Sequence, residues 1–569
     1  MNQYALLHIP DSRYCFATGP KEVVIRLRTS KEDDLKVSIV YASKYEIANM
    51  QQEEEMTKYC EDALYRFYET KLSLTDVRLA YVFKISEGSN SWYFSEDGIT
   101  KDYDFSEAFY NFFQLPYINI NDLMPTVDWM RRAVFYQIFV DRFYIGDHDK
   151  DMSYVNMKWG DIPTPKCFAG GDLAGISKKL DYLKMLGINA IYLTPVFRSI
   201  SNHKYDISDY KEIDPEFGTK EELVDLVKKA HSMGIRIVLD AVFNHCSMDS
   251  PQFKDVMKKG RDSEYFNWFI IDGDKPDIKN VNYECFASCG YMPKLNTANA
   301  GVQGFLLDIA EYWIREADID GWRLDVSDEV SHEFWRLFRK RVKSVKKDCV
   351  IIGENWHDAY SYLLGDQYDS IMNYAFTKAC LDYFANDRFN ATDMADKCNS
   401  NLMRNKDQVN QMMLNLLDSH DTHRFFSKVG KDVKKLIAAI ALNVMYPGAP
   451  CIYYGTEILM EGGYDPDCRR CFDWDESHWN KDAWKEISRV LHLKEHKALQ
   501  YGECSIISVN DMLVVERSYK DEKITLFVNM TDKAQRVPAG VGKLIAGLEI
   551  NGVIEKKGYG IYLSGKEMR

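Results

Sequence analysis

The sequence predicts an α/β chain built on a (β/α)₈ barrel, with a β-sandwich before it, a short insertion after the third barrel strand and an all-β domain after it. Three observations predict this. Apolar and polar residues alternate through residues 1–125. Eight short apolar runs then alternate with amphipathic helical stretches through 126–500, the grammar of a parallel barrel. Strand patterning returns in 501–569.

In the N-terminal segment, Leu35, Val37, Ile39 and Tyr41 lie at alternate positions, as do Tyr81, Phe83 and Ile85. Ile25 and Leu27 are interleaved with Arg26 and Arg28. A period of two with one wet face is what a sandwich sheet requires. The segment around Pro116 and Pro125 marks the boundary. The barrel runs are Val134–Val140, Ala190–Leu193, Ile235–Leu239, Gly321–Asp325, Val350–Ile352, Ser370–Tyr374, Met412–Leu417 and Cys451–Tyr454. Between the second and third, Thr219 and Glu222 form a capping box, Leu223, Leu226, Val227 and Ala230 share a face, and Gly234 stops the helix. The insertion runs from about 246 to 300. At the C-terminal end, Ile524, Leu526 and Val528 restore the strand pattern.

Composition excludes several functions. The chain has 569 residues and a net charge of −14, from 72 Lys and Arg against 86 Asp and Glu. Such a chain repels phosphate backbones and anionic lipid, so neither nucleic acid nor membrane is expected as a partner. No run of ~20 apolar residues is present to span a bilayer; Leu436–Met445 is short and broken by Asn443. The N-terminus lacks the basic and apolar regions of a secretion signal. Thirteen scattered cysteines fit reduced thiols in a cytoplasm. Cys468 and Cys471 form a C-x-x-C without a second pair or a neighbouring His pair, so they read as two unpaired thiols.

Active sites of such barrels lie at the C-terminal ends of the strands. After the third run stand Asp240, Asn244 and His245. The fourth carries Arg323 and Asp325, two apart and pointing the same way. The fifth ends in Glu354 and Trp356, and the seventh in His420 and Asp421. Any one of these alone reads as a strand-end cap, a rim histidine or a neighbourly ion pair. Together they bring several carboxyls to one rim, where each is costly unless it has work or a partner. Glycoside hydrolysis uses such a set: a nucleophilic carboxylate and a protonated carboxyl ~5–5.5 Å away in retaining enzymes. Arg323 holds Asp325 ionised, and apolar neighbours raise Glu354 toward a general acid. No His-x-His or His-Glu-x-x-His spacing supports a metal-dependent barrel hydrolase.

Asp240–His245, Gly321–Glu329, Gly353–Trp356 and Ser419–Asp421 together resemble the four characteristic regions of the α-amylase family of glycoside hydrolases. The resemblance implies Asp325 as nucleophile, Glu354 as acid/base and Asp421 as transition-state stabiliser. It implies Tyr205, His245, Arg323 and His420 as sugar contacts beside the scissile bond. Met292–Asn296, Gly365–Asp369 with Met372–Tyr374, and Cys451–Gly455 with Asp465–Arg469 are similar to the neopullulanase, cyclomaltodextrinase and maltogenic amylase subgroup. Asp465 and Arg469 then bind glucose units on the non-reducing side; their bland alternative is a surface ion pair. Phe286 and Trp356 stack on sugars, with a core role as the alternative. The N-terminal sandwich becomes a starch-binding-type module. The subgroup commonly dimerises, so a homodimer is expected.

The implied activity is retaining hydrolysis of α-1,4 bonds in cyclomaltodextrins and maltooligosaccharides, extending to pullulan. A transglycosylase is the alternative, and a non-catalytic glycan-binding relative a remoter one. Two departures stand out. Ser327-Asp328-Glu329 replaces the subgroup's Ala-Asn-Glu, and His423 is unusual at its position; both are expected on the acceptor side. No cofactor is expected. Family members often bind calcium after the first strand, and Asp147, Asp151 and Gly170-Gly171-Asp172 match that pattern. Ile145 and Lys150, however, stand where ligand oxygens belong.

Overall fold

A computed structural model describes residues 1–107 and 110–565. The chain divides into two compact units. One comprises Met1–Thr126 with Phe389–Asn410 and Ser505–Val514; the other comprises Val127–Arg388, Gln411–Cys504 and Val515–Arg569.

The first unit holds the sandwich. One sheet orders Cys15–Gly19, Glu22–Ser30, Tyr65–Ser73 and Thr57–Glu61; the other orders Gln52–Glu55, Lys36–Ala42, Leu79–Glu87, Asn90–Ser95 and Gly98–Thr100. Phe113–Leu115 also pairs with Leu79–Glu87. Ile39 lies opposite Phe83 and Val37 opposite Ile85. With Ile25, Leu27 and Tyr81 they form a buried cluster, as the alternation requires. Arg26 departs from that pattern. It is buried rather than wet, because Glu69 and Asp407 meet its guanidinium at 2.8 and 2.6 Å. A doubly paired guanidinium tolerates burial where a lone one does not.

The second unit holds the barrel. Its strands, in sequence order, are Phe135–Ile138, Ala190–Leu193, Arg236–Ala241, Gly321–Leu324, Val350–Gly353, Ser370–Ile371, Leu414–Leu416 and Ala449–Tyr453. Neighbours are parallel and sequential, and the eighth pairs with the first. A parallel bridge between Met372 and Leu414 joins the sixth to the seventh and closes the cylinder. All eight predicted strands are present; Ala190–Leu193 is unchanged, and the others differ from their predicted runs by a few residues at one or both ends. Strands covered on both faces read as continuous apolar runs, which is why they were legible. Gly321 is required for the fourth strand to lie against the fifth: a Cβ there would sit 2.4 Å from Val350 Cγ1.

The helix after the second strand spans Lys220–Ser232 and carries the capping box of Thr219 and Glu222. Gly234 follows its end with φ +74°, the left-handed conformation that glycine adopts without cost. The insertion after the third strand contains one α-helix, Pro251–Lys259, capped by Ser250, and two 3₁₀ turns, Gly260–Asp262 and Phe266–Trp268. It returns through paired segments that set Cys285 against Pro293. The sequence reading missed an antiparallel hairpin, Phe197–Ser199 with Ile207–Ile213. Its register shifts break the period-two signal, and its connection carries His203 and Tyr205. In the C-terminal part, Gly558–Ser564 pairs with Glu522–Asn529 and with Lys543–Gly547, all antiparallel.

Candidate active site

The strand ends build the site around one guanidinium. Arg323, on the fourth strand, is fully buried. Its Nη1 lies 2.8 Å from Asp325 Oδ1 and 2.9 Å from Asp240 Oδ2, and its Nη2 lies 2.9 Å from Glu354 Oε1. Three carboxyls from the third, fourth and fifth strands thus share one positive charge. Asp240 also accepts hydrogen bonds from the hydroxyls of Tyr192 at 2.6 Å and Tyr205 at 2.9 Å. It anchors the arrangement from below and does not line the cleft.

Burial pushes all three carboxyls up, and Arg323 opposes the rise in each. Asp240 is raised to about 6 and Glu354 above its own range; Asp325, expected to be held ionised by Arg323, is instead raised well above the usual carboxylate range, because burial outweighs that one charge. With more acids than bases in a dry site, protons are bound by the group as a whole. Glu354 is fixed further by the Val326 N–H, 2.9 Å from Oε2, and by Trp356 Nε1, 3.3 Å from Oε1.

Asp421 reaches the site from the seventh strand end. It is half-buried, with Arg469 Nη2 3.3 Å from Oδ1 and His420 Nε2 3.3 Å from Oδ2. Burial raises its carboxyl, with Arg469 the main opposing charge. Arg469 pairs with Asp465 as well, at 3.0 Å. His420 hydrogen bonds through Nε2 to the Tyr205 hydroxyl at 2.7 Å and stacks on the Tyr205 ring at 5.5 Å. His245 is buried, and its Nε2 has no hydrogen-bond partner. Phe286 stacks on it at 5.0 Å. Trp356 is 44% exposed and lies flat on Tyr374, ring centroids 3.7 Å apart. One indole face is therefore backed by Tyr374.

These groups surround a cleft of about 550 Å³. Nine of the eleven predicted site residues line it: Tyr205, His245, Phe286, Asp325, Glu354, Trp356, Asp421, Asp465 and Arg469. Arg323 and His420 lie behind, holding the residues that do. Asp465 and Arg469 form the ion pair foreseen as the bland alternative, and the pair faces the cleft. Met292, first of the Met292–Asn296 segment, also lines it, as do His203, Tyr291 and Tyr464, which were not singled out. They stand on irregular loops without periodicity; the one available signal was adjacency to Tyr205, Pro293 and Asp465. Of the two departures expected on the acceptor side, Asp328 and Glu329 reach the cleft wall. Ser327 does not: it is fully buried behind the wall. His423 is exposed, 5.7 Å from the Tyr464 ring.

Burial lowers His245 to about 3 and His420 well below its ordinary value. Burial thus favours the neutral form of both imidazoles. The acid limb of kcat/KM is accordingly expected to follow the carboxyl group alone. A His245→Gln enzyme should lose about tenfold in kcat/KM, the scale of one or two hydrogen bonds to a sugar, with that limb unmoved. A limb displaced by a full unit would reassign it to the imidazole.

A parallel barrel whose C-terminal rim brings together three carboxyls around one guanidinium and flat aromatic faces fits a sugar-hydrolase site. The α-amylase catalytic domain matches residues 137–496, and the α-amylase N-terminal Ig-like domain matches residues 1–119. The chain belongs to the α-amylase family and is a glycoside hydrolase. It is 40% identical to a cyclomaltodextrinase of Thermoanaerobacter pseudethanolicus, over 94% of each chain. It is 39% identical to an intracellular maltogenic amylase of Bacillus subtilis, over 94% of this chain and 92% of that one. A solved cyclomaltodextrinase superposes with a TM-score of 0.90 at 35% identity, covering 99% of this chain and 98% of the other.

Proposed function

We propose that this enzyme hydrolyses α-1,4 bonds of cyclomaltodextrins and maltooligosaccharides with retention of configuration. The observation that carries the reading is that Arg323 holds Asp325 and Glu354 on separate nitrogens of one guanidinium, at 2.8 and 2.9 Å. A planar guanidinium keeps its nitrogens close, which suits the ~5–5.5 Å carboxyl spacing of retaining enzymes better than the wider spacing of inverting ones. Asp325 attacks the anomeric carbon and forms a covalent ester as the bond to the leaving oxygen breaks. Glu354 gives its proton to that oxygen. Water then attacks the ester, Glu354 takes the water's proton, and Asp325 leaves. Asp421 faces the ring carbon and oxygen, where positive charge develops. His245 Nε2, lacking a protein partner, is free for a sugar hydroxyl. Trp356 and Phe286 offer flat faces to glucose rings.

Reducing-sugar release from β-cyclodextrin, pullulan and soluble starch, measured side by side, tests the substrate. Release from β-cyclodextrin faster than from starch is expected, with the new reducing ends first appearing as the α-anomer. No release from any α-glucan by folded enzyme would favour a binding role. Mainly elongated products from maltotriose at high concentration would favour a transglycosylase. The name of the intracellular relative and thirteen cysteines scattered without framework spacing support a cytoplasmic enzyme. A homodimer is proposed on the subgroup resemblance, and sedimentation of the intact chain tests it.

The residues after the first strand do not suit calcium. The Lys150 ammonium lies 3.0 Å from Asp172 Oδ2 and donates to the carbonyls of Gly170 at 2.8 Å and Glu216 at 2.7 Å. Those oxygens face a covalently tethered cation. Asn244, after the third strand and near a second calcium position of the family, accepts from the Lys294 ammonium. Among the described residues, no group of three or more His, Cys, Asp or Glu is placed to hold a metal. Excess chelator is therefore expected to leave activity and melting temperature unchanged; a marked fall restored by calcium would overturn this. Lys150→Ala takes the cation from buried Asp172 but leaves it the Gly146, Asp147 and Gly175 N–H donors, and should cost about 1–3 kcal/mol in urea unfolding.

A further inference from the structure

We propose that Ser327 is a positioning residue for Glu354, tying the turn after the nucleophile to the main chain of the acid/base and so aiming its proton. This rests on the double-displacement reading above. The Ser327 hydroxyl donates to the Glu354 carbonyl at 2.6 Å. Its own carbonyl accepts from Trp335 Nε1 at 2.8 Å and from the Tyr368 hydroxyl at 2.9 Å. The residue is thus fixed on both sides.

Its neighbour grips the other end of the same glutamate. Val326 adopts φ +45°, a region that β-branched residues avoid, so surrounding contacts impose it. The conformation directs the Val326 N–H at Glu354 Oε2, 2.9 Å away. Two consecutive residues after Asp325 therefore hold Glu354 by main chain and carboxyl together. Gly353 makes the approach possible: a Cβ there would lie 2.6 Å from the Tyr368 ring and 3.0 Å from Ser327 Oγ.

Ser327 contacts no substrate, because it is fully buried. Its effect passes through Glu354, and it should touch proton donation more than nucleophilic attack. Misplacement of a reacting group by 1 Å can cost ~10²-fold. Alanine at this position frees the Glu354 carbonyl without removing the carboxyl.

The test compares kcat/KM, which reports the first bond-breaking step, for β-cyclodextrin and for α-maltosyl fluoride. The sugar alkoxide needs Glu354's proton to leave; fluoride does not. Ser327→Ala is expected to lose about 10-fold or more on cyclodextrin, and under about twofold on the fluoride, where protonation is not required. Tyr368→Phe, which loosens Ser327 from its far side, should split the substrates in the same sense by less, and it decides the matter if the alanine enzyme does not fold. Equal losses on both substrates, or none on either, would overturn the role of Ser327. Glu354→Gln is measured alongside: if it too fails to split the substrates, the acid/base assignment itself has failed.

Discussion

Asp325→Asn is expected to lower turnover of β-cyclodextrin by about 10⁴-fold or more, the scale of losing a covalent nucleophile. The amide is almost the same shape as the carboxylate, and its oxygen can still accept from Arg323 Nη1, which lies 2.8 Å from Asp325 Oδ1 in the parent. The cleft wall therefore stays in place, and maltooligosaccharide binding, read by calorimetry, should remain within a few-fold of the parent. An amide cannot form the ester, so chemistry alone is lost. Stability should move the other way. Three buried carboxyls share one guanidinium in the parent, and desolvation is the largest influence on Asp325. Removing one of them leaves Asp240 and Glu354 to balance Arg323. The variant should melt at or above the parent's temperature, as expected where an active site holds strained charge. A near-normal rate would refute the nucleophile, and a large fall in melting temperature would show that Asp325 belongs to the scaffold.

The barrel was legible because its physics is local. Each parallel strand is buried on both faces and leaves a short apolar run, and Thr219, Glu222 and Gly234 announce the ends of the helix between two of them. The hairpin carrying Tyr205 was not, because register shifts erase its alternation. Arg26 misled for a different reason: its counter-ion Asp407 lies far along the chain, and no window of sequence contains both. The site was legible where chemistry is concentrated at strand ends. Asp325, Glu354 and Asp421 were named from their places after apolar runs, and the structure brings all three to one cleft. What sequence did not reveal was depth. Arg323 and His420 are buried behind the residues that line the cleft, and Ser327 was expected on the acceptor side and lies beneath the wall. Depth depends on which side chain another element covers, and that is settled only when strands from distant segments are laid together.

Glu354→Gln is expected to separate two steps that the parent runs with one carboxyl. On β-cyclodextrin the first step needs a proton at the leaving oxygen, so kcat/KM should fall by 10²–10⁴-fold, the usual worth of positioned acid catalysis. On α-maltosyl fluoride the leaving group departs unaided, and the covalent ester to Asp325 should still form. Its hydrolysis has then lost the base that takes a proton from water. Rapid mixing should accordingly show a burst of fluoride of about one equivalent per site, followed by a slow steady state. The pH profile makes a second demand. Burial raises Glu354 above its ordinary value, with Arg323 opposing, so the parent keeps its proton to higher pH than a free glutamate does. Activity on cyclodextrin should fall as pH rises through the apparent value shared with Asp240 and Asp325. Glutamine does not titrate, so the residual activity of the variant should lack that alkaline limb and keep an acid one that belongs to the remaining carboxyls as a group. Equal damage on both substrates, with the alkaline limb retained, would mean that another group delivers the proton. It would leave Arg323 binding Glu354 for structure alone.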